Sequence, residues 1–224
     1  ADFWKTFPGG LKRDYHIQAG LAARSYGEVV ERLLEPYRAA SGKPRIAEKT
    51  PQNALYFPQL AHMLPMSPHV HIIRDGRDVA RSLINQNWRV LGSNEKSPIT
   101  QNLTNAASAW VQHVRAARGA KDRLGERYVE IFYENLIESP EAELRRLFAS
   151  LGEPWDERVL RFHELDHHIV AAENNTHGDT ISRPIWEFST YRWKTTLSQA
   201  ERDEIKQVAG DTLIELGYAE DHDW

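Results

Sequence analysis

His69-Val70-His71-Ile72-Ile73-Arg74-Asp75-Gly76-Arg77-Asp78-Val79-Ala80-Arg81-Ser82-Leu83 decides how this chain folds, because a β-branched run stops at a charged turn and restarts as a helix. Val70, Ile72 and Ile73, bracketed by histidines, suit a strand covered on both faces. Asp75-Gly76 is a turn signal at the strand's carboxyl end, the edge where open α/β sheets hold their ligands. A helix starting near Arg77 would put Ser82 in its second turn and Arg74 on the strand tip. A guanidinium, a hydroxyl and first-turn N–H groups could then converge on one phosphate. By charge spacing alone the better reading is a surface salt-bridge cluster of Arg74, Asp75, Arg77 and Asp78. The rest of the chain shifts that balance.

Upstream, Val29, Val30, Leu33, Leu34 and Tyr37 share one face of a predicted helix over Gly27 to Ala40, ended by Gly42-Lys43-Pro44. Arg45 to Lys49 reads as a short strand. Thr50 then caps a helix that has Pro51 at its first position and Leu55, Leu60 and Leu64 on its buried face. Downstream, Asn87 to Thr100 has the Gly, Ser, Asn and Pro content of a mobile loop near the site. Leu103, Ala106, Trp110, Val114 and Ala117 recur at helical spacing, which makes Trp110 a core residue. Arg127 to Tyr133 is a second strand. Ser139-Pro140 opens a helix with Leu144, Leu147, Phe148 and Leu151 inward. Ser198 and Glu201 form a capping box for a last helix that carries Ile205, Val208, Leu213 and Leu216 and stops at Gly217. Alternating strands and helices imply an α/β fold with a central parallel sheet flanked by helices.

The 224 residues fit one domain, with 1–44 a helical region and 45–224 a core ending in the C-terminal helix. Hydrophobic content of 41% and charged content of 27% are ordinary for a globular protein. A net charge of −4 excludes nucleic-acid binding by diffuse basic charge, so any anion site must be local. The absence of cysteine removes disulfides and thiolate metal sites and favours a reducing, cytoplasmic location. No run approaches the roughly 18 apolar residues of a membrane span.

Four motifs in order resemble the sulfotransferase superfamily, and most of all its tyrosylprotein and bacterial branches. They are Glu48-Lys49-Thr50-Pro51-Gln52-Asn53, the Arg74 to Ser82 segment, Val129-Glu130-Ile131-Phe132-Tyr133-Glu134-Asn135-Leu136, and Arg192-Trp193-Lys194. The resemblance spans about Lys43 to Tyr218. It implies a single-domain, P-loop-like sulfotransferase fold and a co-substrate, 3′-phosphoadenosine 5′-phosphosulfate, whose sulfuryl group moves to an acceptor hydroxyl or amine without a metal. It assigns Arg74 and Ser82 to the donor's 3′-phosphate and Tyr133 to the nucleotide site. On the residues alone, Tyr133 is equally well a core cap. Lys49 takes the place of the family lysine that stabilises charge on the leaving bridging oxygen. Arg192-Trp193 stands where the tyrosylprotein branch has Lys-Trp in a late loop over the nucleotide. Counting back without gaps puts His177 at the position of a site serine, as a hydrogen-bond donor to the reacting group or as a loop histidine without a role.

One element of the family pattern is missing. Nothing in residues 1–45 matches the Ser-Gly-Thr-Thr-type loop that cradles the 5′-phosphosulfate, and Gly9-Gly10-Leu11-Lys12-Arg13 lacks its hydroxyl and preceding strand. The expectation is that this loop and the acceptor-activating glutamate precede Ala1, or that the protein is a non-catalytic, nucleotide-binding relic of the fold. A metal-dependent hydrolase is the rival enzyme class, from His163, Asp166, His167 and His168. A kinase would need the missing loop more strictly still. Trp4, Phe7, Trp88 and Trp186 are candidates for an aromatic acceptor pocket or for packing.

Overall fold

The computed structural model describes residues 23–90, 92–164, 183–185 and 189–224. His177, Asp166, His167 and His168, the Gly9 to Arg13 segment, and Trp4, Phe7 and Trp186 lie outside the described residues. Helix α1 (Tyr26–Ser41) is capped by the Ser25 side chain, which accepts from the Glu28 amide, and ends on Gly42 at φ 62. A 3₁₀ turn over Pro51–Tyr56 leads into α2 (Phe57–Met63). Strand β1 (His69–Ile73) then passes directly into α3 (Gly76–Ile84), and α4 (Leu103–Arg118) and α5 (Lys121–Leu124) follow. Strand β2 (Tyr128–Phe132) is succeeded by α6 (Tyr133–Glu138), α7 (Pro140–Leu151), the short α8 (Trp193–Thr196) and the final α9 (Gln199–Glu215).

Among the described residues the sheet has two strands, β1 and β2, paired in parallel with His69 opposite Tyr128 and Ile73 opposite Phe132. The fold is therefore α/β, largely helical around a small parallel sheet. The register puts His69, His71 and Ile73 on the buried face, whereas Val70 is half-buried and Ile72 is 56% exposed. This corrects the expectation of a strand covered evenly by its β-branched residues. Two imidazoles go inward because polar partners meet them there. His71 Nδ1 lies 2.7 Å from the Tyr128 hydroxyl, and that hydroxyl donates to Glu130 at 2.9 Å. His69 Nδ1 lies 3.0 Å from the Ser67 carbonyl.

The main core joins Ile73 to Ala80 of α3, Leu103, Ala106, Trp110 and Val114 of α4, and Ile205, Ala209 and Leu213 of α9. Trp110 is core, as its spacing predicts. Its Nε1–H donates to the Arg74 carbonyl at 3.0 Å, which fixes the end of β1. Gly76 serves this contact rather than a turn. It is already the first residue of α3, and a Cβ there would lie 2.6 Å from the Trp110 ring.

Other expectations are also revised. Arg45 to Lys49 forms no strand among the described residues and leads through an extended Thr50 to the 3₁₀ turn, where Thr50 makes no side-chain cap. The Thr50 hydroxyl and the Asn53 amide both donate to Glu48 instead. On α2 the fully buried residues are Phe57 and Ala61, with Leu60 packed beside them. The 87–100 segment is closed by an antiparallel bridge, Arg89 to Lys96, and the Ser97 amide donates to the Trp88 carbonyl at 2.7 Å. The capping box at Ser198 and Glu201 is present as expected.

Candidate functional site

Where β1 turns into α3, the sequence places four charges in five positions, and each acquires a different surrounding. Asp75 is the N-cap of α3, accepting from the Arg77 amide at 2.9 Å. Its carboxylate also accepts from Arg77 Nε and from an Arg77 terminal nitrogen, the latter at 2.8 Å, and from the Trp193 indole N–H at 3.0 Å. Arg77 donates further to the Tyr218 carbonyl at 2.6 Å and is stacked on Trp193 and Trp224, 3.8 and 4.5 Å from the ring centroids. The pair is 2% and 0% exposed, so it is an internal ion pair rather than part of a surface cluster. Glu134 completes the group. It accepts the Asp75 amide at 3.0 Å and the Tyr218 hydroxyl at 2.7 Å, and burial together with that carboxylate drives the Tyr218 phenol upward.

This arrangement corrects one part of the expected anion site. In the first turn of α3 the Arg77 amide is taken by the Asp75 carboxylate and Asp78 is buried, so two negative charges already occupy the end of the helix where an anion was expected. The cationic groups gather one turn further on. A cleft of about 210 Å³ is lined by Arg74, Asp78, Arg81, Ser82, Asn85, Gln86, Arg192 and Thr196. Its α3 wall follows from helical spacing, since Asp78, Arg81 or Ser82, and Asn85 or Gln86 succeed one another at three- and four-residue intervals.

Arg74, Ser82 and Arg192, separated by up to 118 positions in sequence, thus meet at one cleft. The Arg74 guanidinium lies 3.3 Å from Asp78 and 3.2 Å from the Ser189 carbonyl and rests on the Tyr133 ring at 4.5 Å. Its Nε is buried without a hydrogen-bond partner among the described residues. Tyr133 is half-buried, and burial raises its phenol pKa. Trp193 is placed differently from the expectation. It sits in the core behind the cleft, with its backbone N–H donating to Asp78 at 2.8 Å and its indole turned to Asp75. Those two bonds hold the strap over 189–197 against α3 and bring Arg192 to the cleft. Tyr191, at φ 52, makes the turn into the strap.

Lys49 is exposed and is not among the residues that line this cleft, and Glu48 is turned to Thr50 and Asn53 rather than to it. His163 closes a 3₁₀ segment over Glu157–Glu164. Among the described residues no three His, Asp or Glu side chains assemble as a set of metal ligands. Sequence reasoning missed Asp78 as the tie between Arg74 and the strap, and Arg81 as part of the wall. The signal for both was the interval from Arg74, at four and seven residues on the face that carries Ser82.

Fold and site together define an α/β protein with a cationic cleft beside the passage from strand to helix. The Sulfotransferase family model matches residues 13–157, so the chain belongs to the sulfotransferase family. The putative protein-tyrosine sulfotransferase of Caenorhabditis briggsae is 26% identical over 162 residues, which is 71% of this chain and 56% of that protein. The one of Caenorhabditis elegans is 25% identical over 195 residues, covering 86% and 69%. Nodulation protein NoeE of Sinorhizobium fredii is 27% identical over 195 residues, covering 81% and 46%. The chain therefore spans between about half and two thirds of these relatives, and its resemblance to the tyrosylprotein and bacterial branches holds.

Proposed function

We propose that the protein transfers a sulfuryl group from 3′-phosphoadenosine 5′-phosphosulfate to an acceptor hydroxyl, with the cleft holding the donor's 3′-phosphate. The observation that carries this reading is the meeting of Arg74, Ser82 and Arg192 at one small cleft. The Arg74 guanidinium brings its charge to the same cleft. An Arg fork matches a phosphate bidentately. Relatives named as protein-tyrosine sulfotransferases support a hydroxyl acceptor.

In the reaction, the bond between sulfur and the bridging oxygen of the donor breaks as the acceptor oxygen bonds to sulfur. The acceptor proton passes to a base, and adenosine 3′,5′-bisphosphate leaves. Negative charge grows on the bridging oxygen, and Lys49 is the residue assigned to meet it. An ammonium aimed there acts on the transition state more than on the ground state. It is exposed immediately before Thr50 and the 3₁₀ turn, with no ion pair among the described residues.

The test is transfer of labelled sulfur from the donor to tyrosine peptides and glycans by the full-length protein, with Lys49→Ala in parallel. The expected outcome is transfer by the wild type and a kcat lowered on the order of a hundredfold in the variant. Affinity for the bisphosphate product should be almost unchanged. Product binding without transfer to any acceptor would favour the relic reading. Near-normal turnover of Lys49→Ala would make the Glu48 to Asn53 motif structural.

A further inference from the structure

We infer that Arg81 is a specificity-determining residue of the cleft, one that makes it select a doubly charged phosphate monoester over singly charged anions; this rests on the reading of the cleft as the donor's 3′-phosphate site. The cleft presents three guanidiniums, Arg74, Arg81 and Arg192, against one carboxylate, Asp78. That carboxylate is largely committed. One oxygen accepts the Trp193 amide at 2.8 Å, and the other lies 3.3 Å from Arg74. An excess of two positive charges therefore faces the cleft, in a protein whose overall charge is −4. A phosphate monoester carries roughly −1.5 to −2 near neutral pH, so it balances that excess. A phosphodiester or a sulfate ester, with a single charge, leaves one guanidinium uncompensated.

Arg81 is the guanidinium whose presence is hardest to explain without such a ligand. It forms no ion pair among the described residues, and its one hydrogen bond, to the Asn85 side chain, is 3.4 Å long. By contrast, Arg145 and Arg146 each pair with a glutamate three or four residues away on their own helix. Besides Asp78, a second acid that shares Arg81's field is Glu201. Its carboxyl is held below the usual range mainly by hydrogen bonds from the Ser198 amide and hydroxyl, with Arg81 a lesser contribution. Because Glu201 is engaged in the capping box of α9, it does not turn to Arg81. Half-buried on α3 immediately before Ser82, Arg81 keeps its charge for whatever enters the cleft.

Calorimetric titration of the wild type, Arg81→Gln and Arg81→Lys with adenosine 3′,5′-bisphosphate, with the same nucleotide carrying a singly charged 3′-methyl phosphodiester, and with adenosine 5′-phosphate tests this. The wild type should bind the bisphosphate above the diester, and Arg81→Gln should lose that margin. Loss of one charge-assisted bond in a partly exposed cleft corresponds to about a tenfold change. The expected result is a bisphosphate affinity about tenfold lower in Arg81→Gln, partly restored in Arg81→Lys, with adenosine 5′-phosphate binding unchanged in all three. The unchanged monophosphate affinity also reports that the variants are folded. If the wild type prefers the bisphosphate and Arg81→Gln keeps that preference, or weakens both nucleotides equally, the inference is overturned while the cleft's assignment stands. If the wild type shows no preference, the assignment of the cleft fails and the role of Arg81 fails with it.

Discussion

At the scale of single residues, the run from Arg74 to Asp78 shows how the same pattern of charge can be spent in opposite ways. Arg77 and Asp75 are taken inside, where each donor and acceptor finds a partner, while Arg74 keeps an edge on the cleft. The sequence offers i, i+4 spacing for Arg74 and Asp78 but nothing that separates an outward arginine from an inward one. That choice is made by Trp193, Trp224 and Tyr218, which arrive from more than a hundred positions away. A buried ion pair costs much to break, because the surviving charge stays desolvated. Asp75→Ala leaves the Arg77 guanidinium uncompensated and also removes the cap of α3. We therefore expect a loss of about 3–5 kcal/mol in unfolding free energy, read by urea denaturation. A loss under about 1 kcal/mol would mean that Arg77 re-pairs elsewhere.

At the scale of elements, both strands and the helices after them were legible, since β-branched runs and helical periodicity report local preference that packing then endorses. Which face of β1 is buried was not legible, because the inward residues include two histidines, His71 met across the sheet by Tyr128 and Glu130 and His69 by the Ser67 carbonyl. That pairing has a consequence for stability. Burial pushes His71 down to about 4, well below the 6.5 of an exposed imidazole. Between those values the unfolded chain binds a proton at this site that the folded chain refuses. Stability is therefore lost as pH falls from about 6.5 toward about 4, by up to roughly 3 kcal/mol from this residue. Denaturation curves across that range should fall more steeply for the wild type than for His71→Gln. Equal slopes would show that His71 protonates in place.

At the scale of the whole molecule, the late strap over 189–197 completes what β1 and α3 begin. Its bonds from Trp193 to Asp75 and Asp78 deliver Arg192 to the wall opposite Ser82. Arg74, Ser82 and Arg192 could be named from the order of motifs, because that order carries the family resemblance. Asp78 and Arg81 stand at helical intervals from Arg74 that mark their shared face, whereas the core position of Trp193 depends on how distant segments pack, and no local spacing encodes it.

The central claim is that this cleft reads a 3′-phosphate, and the most direct measurement is titration of the wild type and Arg74→Ala with adenosine 3′,5′-bisphosphate against adenosine 5′-phosphate. Charge-assisted hydrogen bonds are worth roughly 1.5–3 kcal/mol, so the account predicts a clear wild-type preference for the bisphosphate. Arg74→Ala should reduce that preference by about tenfold or more. Equal affinity of the wild type for the two nucleotides, or a preference that survives Arg74→Ala intact, would contradict it.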